Sequence, residues 1–351
     1  MKKIAVFQKD LGIGGIQRSL LNLLTNTDLS HYEVDLFLFA EPEICRAEDI
    51  HNVNIHILKP LFFLNRIIKT ESLEKMFCYS LPDKEYDLAI DFNSYSNECA
   101  ICTFAVNAKK RLMWIHNDVE IEYKNTFKYR VLWSFFKGKF SRYDEFVAVS
   151  QGIVEPFRRM TGIYDKKITV IPNPINASLL IRKSRERIDF KVRPDLTNFI
   201  FAGRFTKQKG LDILLDYFEK ALEIRQDIHL YLLGSGSDEL KIAQLIEDMH
   251  IGEFVTIIEA VENPYPYMAQ MDALILTSRH EGQGMVLWEA KALGLDLIFE
   301  KHLEKYNDGL TGSDDIVHSI VTQRKHVKHY DSLDTYNLKI KNSIYDLFDK
   351  A

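Results

Sequence analysis

No stretch of the chain approaches the roughly 20 consecutive apolar residues that a membrane-crossing helix needs. The opening "MKKIAVFQKDLGIGG" runs into charge too early for a secretory leader and reads instead as a first buried strand. Cysteine is scarce: four in 351 residues argue against a disulfide scaffold and make a reducing cytosol the expected compartment. One C-x-x-C is present, Cys99 and Cys102, with no second pair nearby, so helix core is the simpler reading and no metal is expected. A dominant charge sign is missing too. Lys and Arg number 45 against 50 Asp and Glu, divided as 23 against 22 over residues 1–175 and 22 against 28 beyond. A nucleic-acid partner would call for a strongly basic domain, and neither half is one. Internal repeats and low-complexity segments are also absent.

What is present is a long alternation. At 46% hydrophobic and 27% charged residues the chain is a globular protein with ample core, and its length suggests two domains. Short apolar runs recur between helical patterns: "KIAVFQ" (3–8), "VDLFLF" (34–39), "VNIHIL" (53–58), "DLAIDF" (87–92), "RLMWIH" (111–116), "EFVAVS" (145–150) and "ITVI" (168–171). A second series follows: "FIFAG" (199–203), "IHLYLLG" (228–234), "FVTII" (254–258), "DALILT" (272–277) and "DLIF" (296–299). Continuous apolar runs, as opposed to alternating ones, belong to parallel strands covered on both faces. Two series therefore imply two doubly wound α/β domains, joined near the Asn-Pro punctuation and charge-rich stretch of 171–197.

Such sheets bind ligands beyond the carboxyl ends of their strands, which directs attention to the residues after each run. After the first comes "DLGIGGIQRSLLNLL", where Gly12, Gly14 and Gly15 lead straight into a helix. The G-x-G-x-x-G dinucleotide fingerprint fails because its third glycine position holds Gln17, so an anion site and a plain tight turn both stay open. His116 closes the fifth run and is a candidate for function by that position. After the first run of the second half, Arg204 and Lys209 flank a loop that enters a helix. A guanidinium fork and an ammonium there can clamp a diphosphate, or simply form a solvated basic loop. Gly234 and Gly236 mark the next turn. In "RHEGQGMVLWEAKALG" (279–294), Glu281 lies in a loop, the amides from Gly282 to Val286 open a helix, and Glu289 shares an apolar face with Met285, Val286, Ala292 and Leu293. A carboxylate so placed needs partners, either ligand hydroxyls or a protein cation.

The stretches "GIGGIQRSLLNL", "WIHND", "VAVSQGI", "VIPNPI", "FAGRFTKQKGLDILL" and "SRHEGQGMVLWEA" together resemble the family 4 glycosyltransferases of GT-B fold. The likeness runs in order from residue 4 to about residue 294, and its specific part is the E-x7-E pair behind a G-R-x4-K-G. The resemblance implies two doubly wound Rossmann-like domains with a ligand cleft between them. Residues 1–175 would form the N-terminal acceptor-side domain and 176–330 the nucleotide-sugar domain, with 331–351 a C-terminal helix packing back on the first. It implies a retaining transferase that needs no metal or other cofactor, with a UDP-sugar the expected donor. Arg204 and Lys209 would hold the diphosphate, Glu289 the ribose hydroxyls, and Glu281 the donor sugar beside Gly282, Gly284, Met285 and Val286. Gly14 and Gly15 would face the phosphates, His116 the reacting sugar, and Ile258 and Val261 the base. Beyond Gly294 the match fades: Leu295 and Asp296 depart from the family's usual strand pattern there, and Glu300 and Lys301 stand where small residues are common.

The acceptor expected is a glycan or lipid-linked oligosaccharide, in surface polysaccharide or glycoconjugate synthesis. Residues 123–143 carry six Lys/Arg, eight aromatics and no acid, and 58–77 has similar character. Such a composition suits docking on the cytoplasmic face of an anionic membrane, and equally a helix packing its aromatics on the sheet. Two other readings remain beside the transferase: a nucleotide-sugar epimerase of related fold and a non-catalytic binding subunit.

Overall fold

The computed structural model describes residues 1–351 apart from 13, 42–51, 61–80, 95, 126–129, 131–132 and 134–136. The apolar runs become strands β1 (Lys2–Phe7), β2 (Tyr32–Leu38), β3 (Val53–Ile57), β4 (Tyr86–Asp91), β5 (Ala108–Ile115), β6 (Glu145–Ala148) and β7 (Ile168–Val170). In the second half they become β8 (Thr197–Ala202), β9 (Ile228–Leu233), β10 (Val255–Ile258), β11 (Ala273–Leu276) and β12 (Asp296–Phe299). One sheet has the order β3-β2-β1-β4-β5-β6-β7, the other β10-β9-β8-β11-β12, and the pairings are parallel throughout. Each starts in its own middle and grows outward both ways, so each has a switch point, at β1/β4 and at β8/β11.

The sequence explains the layers. β9 is buried along its whole length, as a strand covered on both faces must be. The helix Leu211–Leu222 buries Leu211, Leu214, Leu215, Phe218, Ala221 and Leu222, the i, i+3, i+4, i+7 stripe of a sheet-covering helix. Cys99 and Cys102 are free thiols, both buried in the core with Phe7, Phe37 and Tyr86.

The chain divides into two units, Met1–Ile175 with Asp334–Ala351, and Asn176–Leu333. The segment 171–197 is more than a connection. It contains the helix Ala177–Lys183, whose first turn is capped by Asn176, Oδ1 accepting from the Leu179 amide at 3.0 Å. The closing helix Asp334–Asp349 completes the first unit. It buries Ile340, Ile344, Leu347 and Phe348, sets Phe348 edge-on to Tyr32 at 5.3 Å, and brackets Ile175 through both ends of the Asn337 amide.

Among the described residues no helix is long and apolar enough to cross a membrane. Of the basic aromatic stretch 123–143, Trp133, Phe140 and Tyr143 are buried, the packing role for those three. Phe127, Tyr129, Phe135, Phe136 and most of 58–77 lie outside the described residues.

Candidate functional site

In the second unit the site residues converge on the carboxyl edge of β8, β9, β10 and β11. β8 ends into Gly203 and the exposed Arg204, whose guanidinium is unpaired among the described residues. The turn depends on one glycine in particular. Gly234, after β9, has φ +146°, and a Cβ there would fall 1.9 Å from the Gly203 carbonyl oxygen. The basic turn Lys207–Lys209 then ends at Gly210, φ +64°, where a Cβ would fall 2.1 Å from the Thr277 carbonyl oxygen.

That close approach brings the loop after β11 against the loop after β8. The Thr277 hydroxyl donates to Gly210 O at 2.9 Å, and Arg279 N–H donates to Gln208 O at 2.8 Å. The Arg279 guanidinium forks onto Asp212 at 2.9 and 2.7 Å, holding that carboxyl below the usual aspartate range. Stitched in this way, the loops set Lys209 Nζ 2.7 Å from Glu281 Oε1, with both side chains largely buried. An ammonium has three donors, so one bond to Glu281 leaves two for a bound anion.

Glu289 sits on the following helix, Met285–Ala292, and is 4% exposed. The Tyr265 hydroxyl donates to its Oε1 at 3.2 Å. Tyr265 follows β10, whose last residue, Ile258, accepts from the Gly234 amide at 3.0 Å, with Val261 three residues further along. The helix start departs from expectation. Gly284 N–H is taken by Asn307 Oδ1 at 3.0 Å and Met285 N–H turns back to Gln283 O at 2.9 Å, so these two amides already have protein acceptors. The segment where the family likeness fades supplies that brace. His302 lies 3.0 Å from Ser278 O through Nε2 and 3.3 Å from Glu300 through Nδ1, while the Tyr217 hydroxyl donates to Glu300 at 2.9 Å.

In the first unit, Gly14 is the N-cap of helix Gly15–Asn26 and makes no side-chain cap. Asp10 shapes the turn before it, accepting from Gly12 N–H at 3.0 Å and Gln17 Nε2 at 2.8 Å. A side chain at Gly15 would meet open space. His116, 5% exposed just past β5, donates from Nε2 to Phe92 O at 2.9 Å. Burial pulls its pKa down to about 3, so the ring is neutral and Nδ1 keeps its lone pair. Asp118, two residues on, has an ordinary structural role, accepting the Glu120 and Ile121 amides at the start of a helix.

The structure thus joins Arg204, Lys209, Glu281, Glu289, Ile258 and the Gly282–Val286 turn on one edge, and places His116, Gly14 and Gly15 on the corresponding edge of the other unit. Tyr265, Asp212, Arg279 and Asn307 were not evident from sequence. Their signal is weak: an Asp and an Arg flanking the two motifs, and a Tyr and an Asn with no motif at all.

Two family profiles match the chain, one described as Glycosyltransferase Family 4 over residues 13–179, the other as Glycosyl transferases group 1 over 183–303. A relative from Campylobacter jejuni, N-acetylgalactosamine-N,N'-diacetylbacillosaminyl-diphospho-undecaprenol 4-alpha-N-acetylgalactosaminyltransferase, is 27% identical over 316 residues, 86% of this chain and 81% of that one. The lipopolysaccharide 1,6-galactosyltransferase of Escherichia coli K12 is 24% identical over 308 residues, 82% of this chain and 76% of its own. In fold, the crystal structure of Anabaena Alr3699/HepE in complex with UDP and glucose aligns over 100% of both chains, with a TM-score of 0.72 at 16% identity.

Proposed function

This chain belongs to the family 4-like glycosyltransferases of GT-B fold, and on that premise we propose that it transfers a hexosyl group from a UDP-sugar to a glycan or lipid-linked oligosaccharide. The observation that carries the reading is the shared edge where Arg204, the Lys209–Glu281 pair and the buried Glu289 converge. Relatives named for action on an undecaprenol-linked saccharide and on lipopolysaccharide support the acceptor class, and with it work at the inner face of a cell membrane in surface polysaccharide synthesis.

In this reading Glu289, oriented by Tyr265, accepts from the ribose hydroxyls. Ile258 and Val261 line the base. Arg204 and the two remaining Lys209 donors hold the diphosphate and stabilise the charge it gains on leaving, so no metal is called for. Glu281 orients the sugar hydroxyls next to Lys209. The transfer is front-face, with retention: the anomeric carbon–oxygen bond to the diphosphate breaks, the acceptor oxygen bonds on the same face, and its proton passes to the departing phosphate. Neutral His116, through Nδ1, accepts from a hydroxyl at the reacting sugar.

The test is a thermal-shift screen of nucleoside diphosphates and UDP-hexoses on the wild type and Glu289→Ala. A ligand at a hundred times its Kd stabilises the protein by about 2.7 kcal/mol, and the variant should respond far less. No response of the wild type to any of these nucleotides overturns the proposal. Product anomeric configuration by NMR tests retention.

A further inference from the structure

The carboxyl end of β4 carries a carboxylate without contact with water. Asp91 is 0% exposed, next to the switch point of the first unit's sheet. Its Oδ2 accepts from the Tyr143 hydroxyl at 2.6 Å, and its Oδ1 accepts from the Asn93 amide at 3.1 Å. Partly buried Lys139 bears on it electrostatically and donates to Ser94 O at 3.0 Å, fixing the same turn from a second side. Among the described residues, Cys99 and Cys102 of helix Asn97–Ala105 also face it electrostatically, and Glu98 of that helix bears on both thiols.

The significant group is the peptide between Phe92 and Asn93. In a planar trans peptide the C=O and the following N–H point in opposite directions and turn together. Here the N–H end is held by Asp91, while the C=O end accepts from His116 Nε2 at 2.9 Å. The preceding amide is pinned as well, Phe92 N–H donating to Phe7 O at 3.0 Å in β1. One rigid plane therefore has a buried carboxylate at one end and the candidate reacting-sugar histidine at the other. Hydrogen bonds arranged in series polarise each other, so a stronger acceptor for the Asn93 N–H makes the Phe92 carbonyl a stronger acceptor for His116.

We propose that Asp91, held by Tyr143 and Lys139, is a positioning residue for His116, acting through the Phe92–Asn93 peptide to fix the ring's tautomer and angle. This rests on the reading of His116 given above. A carboxyl buried only for its own hydrogen bonds would leave the His116 ring unchanged on becoming an amide, whatever that change cost in stability. A positioning carboxylate would pass the change on to the histidine ring at the end of the neighbouring strand. Burial raises Asp91 to about 6, so its charge changes in an accessible pH range and supplies a second handle.

Nitrogen-15 NMR on full-length protein labelled at histidine and asparagine tests the coupling. In the wild type the Asn93 amide proton and the His116 ring N–H should shift together with a shared midpoint near pH 6. In Asp91→Asn neither should titrate, and in Tyr143→Phe the midpoint should move; both variants keep side-chain size. In parallel, UDP release from a panel of UDP-hexoses is measured for both variants and for His116→Ala. Loss of orientation is expected to lower kcat about ten- to a hundredfold with little change in the donor KM. His116 resonances in Asp91→Asn identical to wild type at every pH overturn the coupling. His116→Ala turning over like wild type instead overturns the role given to His116 and leaves the coupling standing.

Discussion

Asp91 makes a stability prediction that is independent of catalysis. Burial raises its pKa from the 3.8 of an ordinary aspartate to about 6, against the opposing influence of Lys139 and its hydrogen bonds to Tyr143 and Asn93. A folded pKa above the unfolded one means that the contribution is fully present below pH 3.8 and is lost as pH rises through 6. The whole effect is about 3 kcal/mol, from 1.36 kcal/mol per pKa unit, of which about 2.4 falls between pH 4 and pH 8. Asp91→Asn abolishes the titration. Its amide presents one oxygen where the carboxylate presented two, so one donor is poorly served, a cost of about 1–3 kcal/mol that does not vary with pH. Urea unfolding followed by fluorescence, with Trp114 and Trp133 reporting the first unit, should give a wild-type-minus-variant difference that falls by about 2.4 kcal/mol from pH 4 to pH 8. Taking the difference removes every other titrating group. Parallel stability curves for the two proteins would refute the reasoning.

Three further perturbations follow from distances already given. Tyr265→Phe removes the hydroxyl that donates to buried Glu289; a hydrogen bond to a charged group is worth about 1.5–3 kcal/mol, so calorimetry should show UDP affinity falling roughly ten- to a hundredfold. Gly210→Ala puts a methyl 2.1 Å from a carbonyl oxygen at φ +64°. The left-handed conformation alone costs about 1–2 kcal/mol, so a melting temperature unchanged from wild type would contradict the described approach of the two loops. Phe348→Ala empties the place beside Tyr32 and should destabilise the first unit by about 3–5 kcal/mol in urea, leaving nucleotide-induced stabilisation of the second intact.

The strands were legible in the sequence, and for a physical reason. A parallel strand covered on both faces is apolar at nearly every position, so "IHLYLL" or "LILT", each with one buried polar residue, marks itself without reference to a partner. Short helices leave a fainter trace: "ASLLIRK" is seven residues inside a charged connection, and only its Asn176 cap distinguishes it. In the candidate site, the residues visible beforehand were those carried by local spacing. The others are defined by pairing at a distance. Tyr265 meets Glu289 across 24 positions, Arg279 meets Asp212 across 67, and Tyr143 meets Asp91 across 52. Nothing local in a sequence records such a pairing. The acceptor for the Gly284 amide is hidden for the same reason, since Asn307 is 23 residues away, whereas Met285 N–H turns back locally to Gln283.

The closing helix has a bearing on how the molecule comes into being. Residues 176–333 make a complete unit from consecutive sequence, whereas the first unit needs residues 334–351 to cover Tyr32 and to hold Ile175. Those residues follow the second unit in the chain and so leave the ribosome after it. The second unit is therefore free to finish while the first, though begun earlier, still exposes an apolar groove awaiting Ile344, Leu347 and Phe348. Vectorial synthesis here reverses the usual order in which domains mature. The interval between the two events is when a chaperone would find that exposed surface.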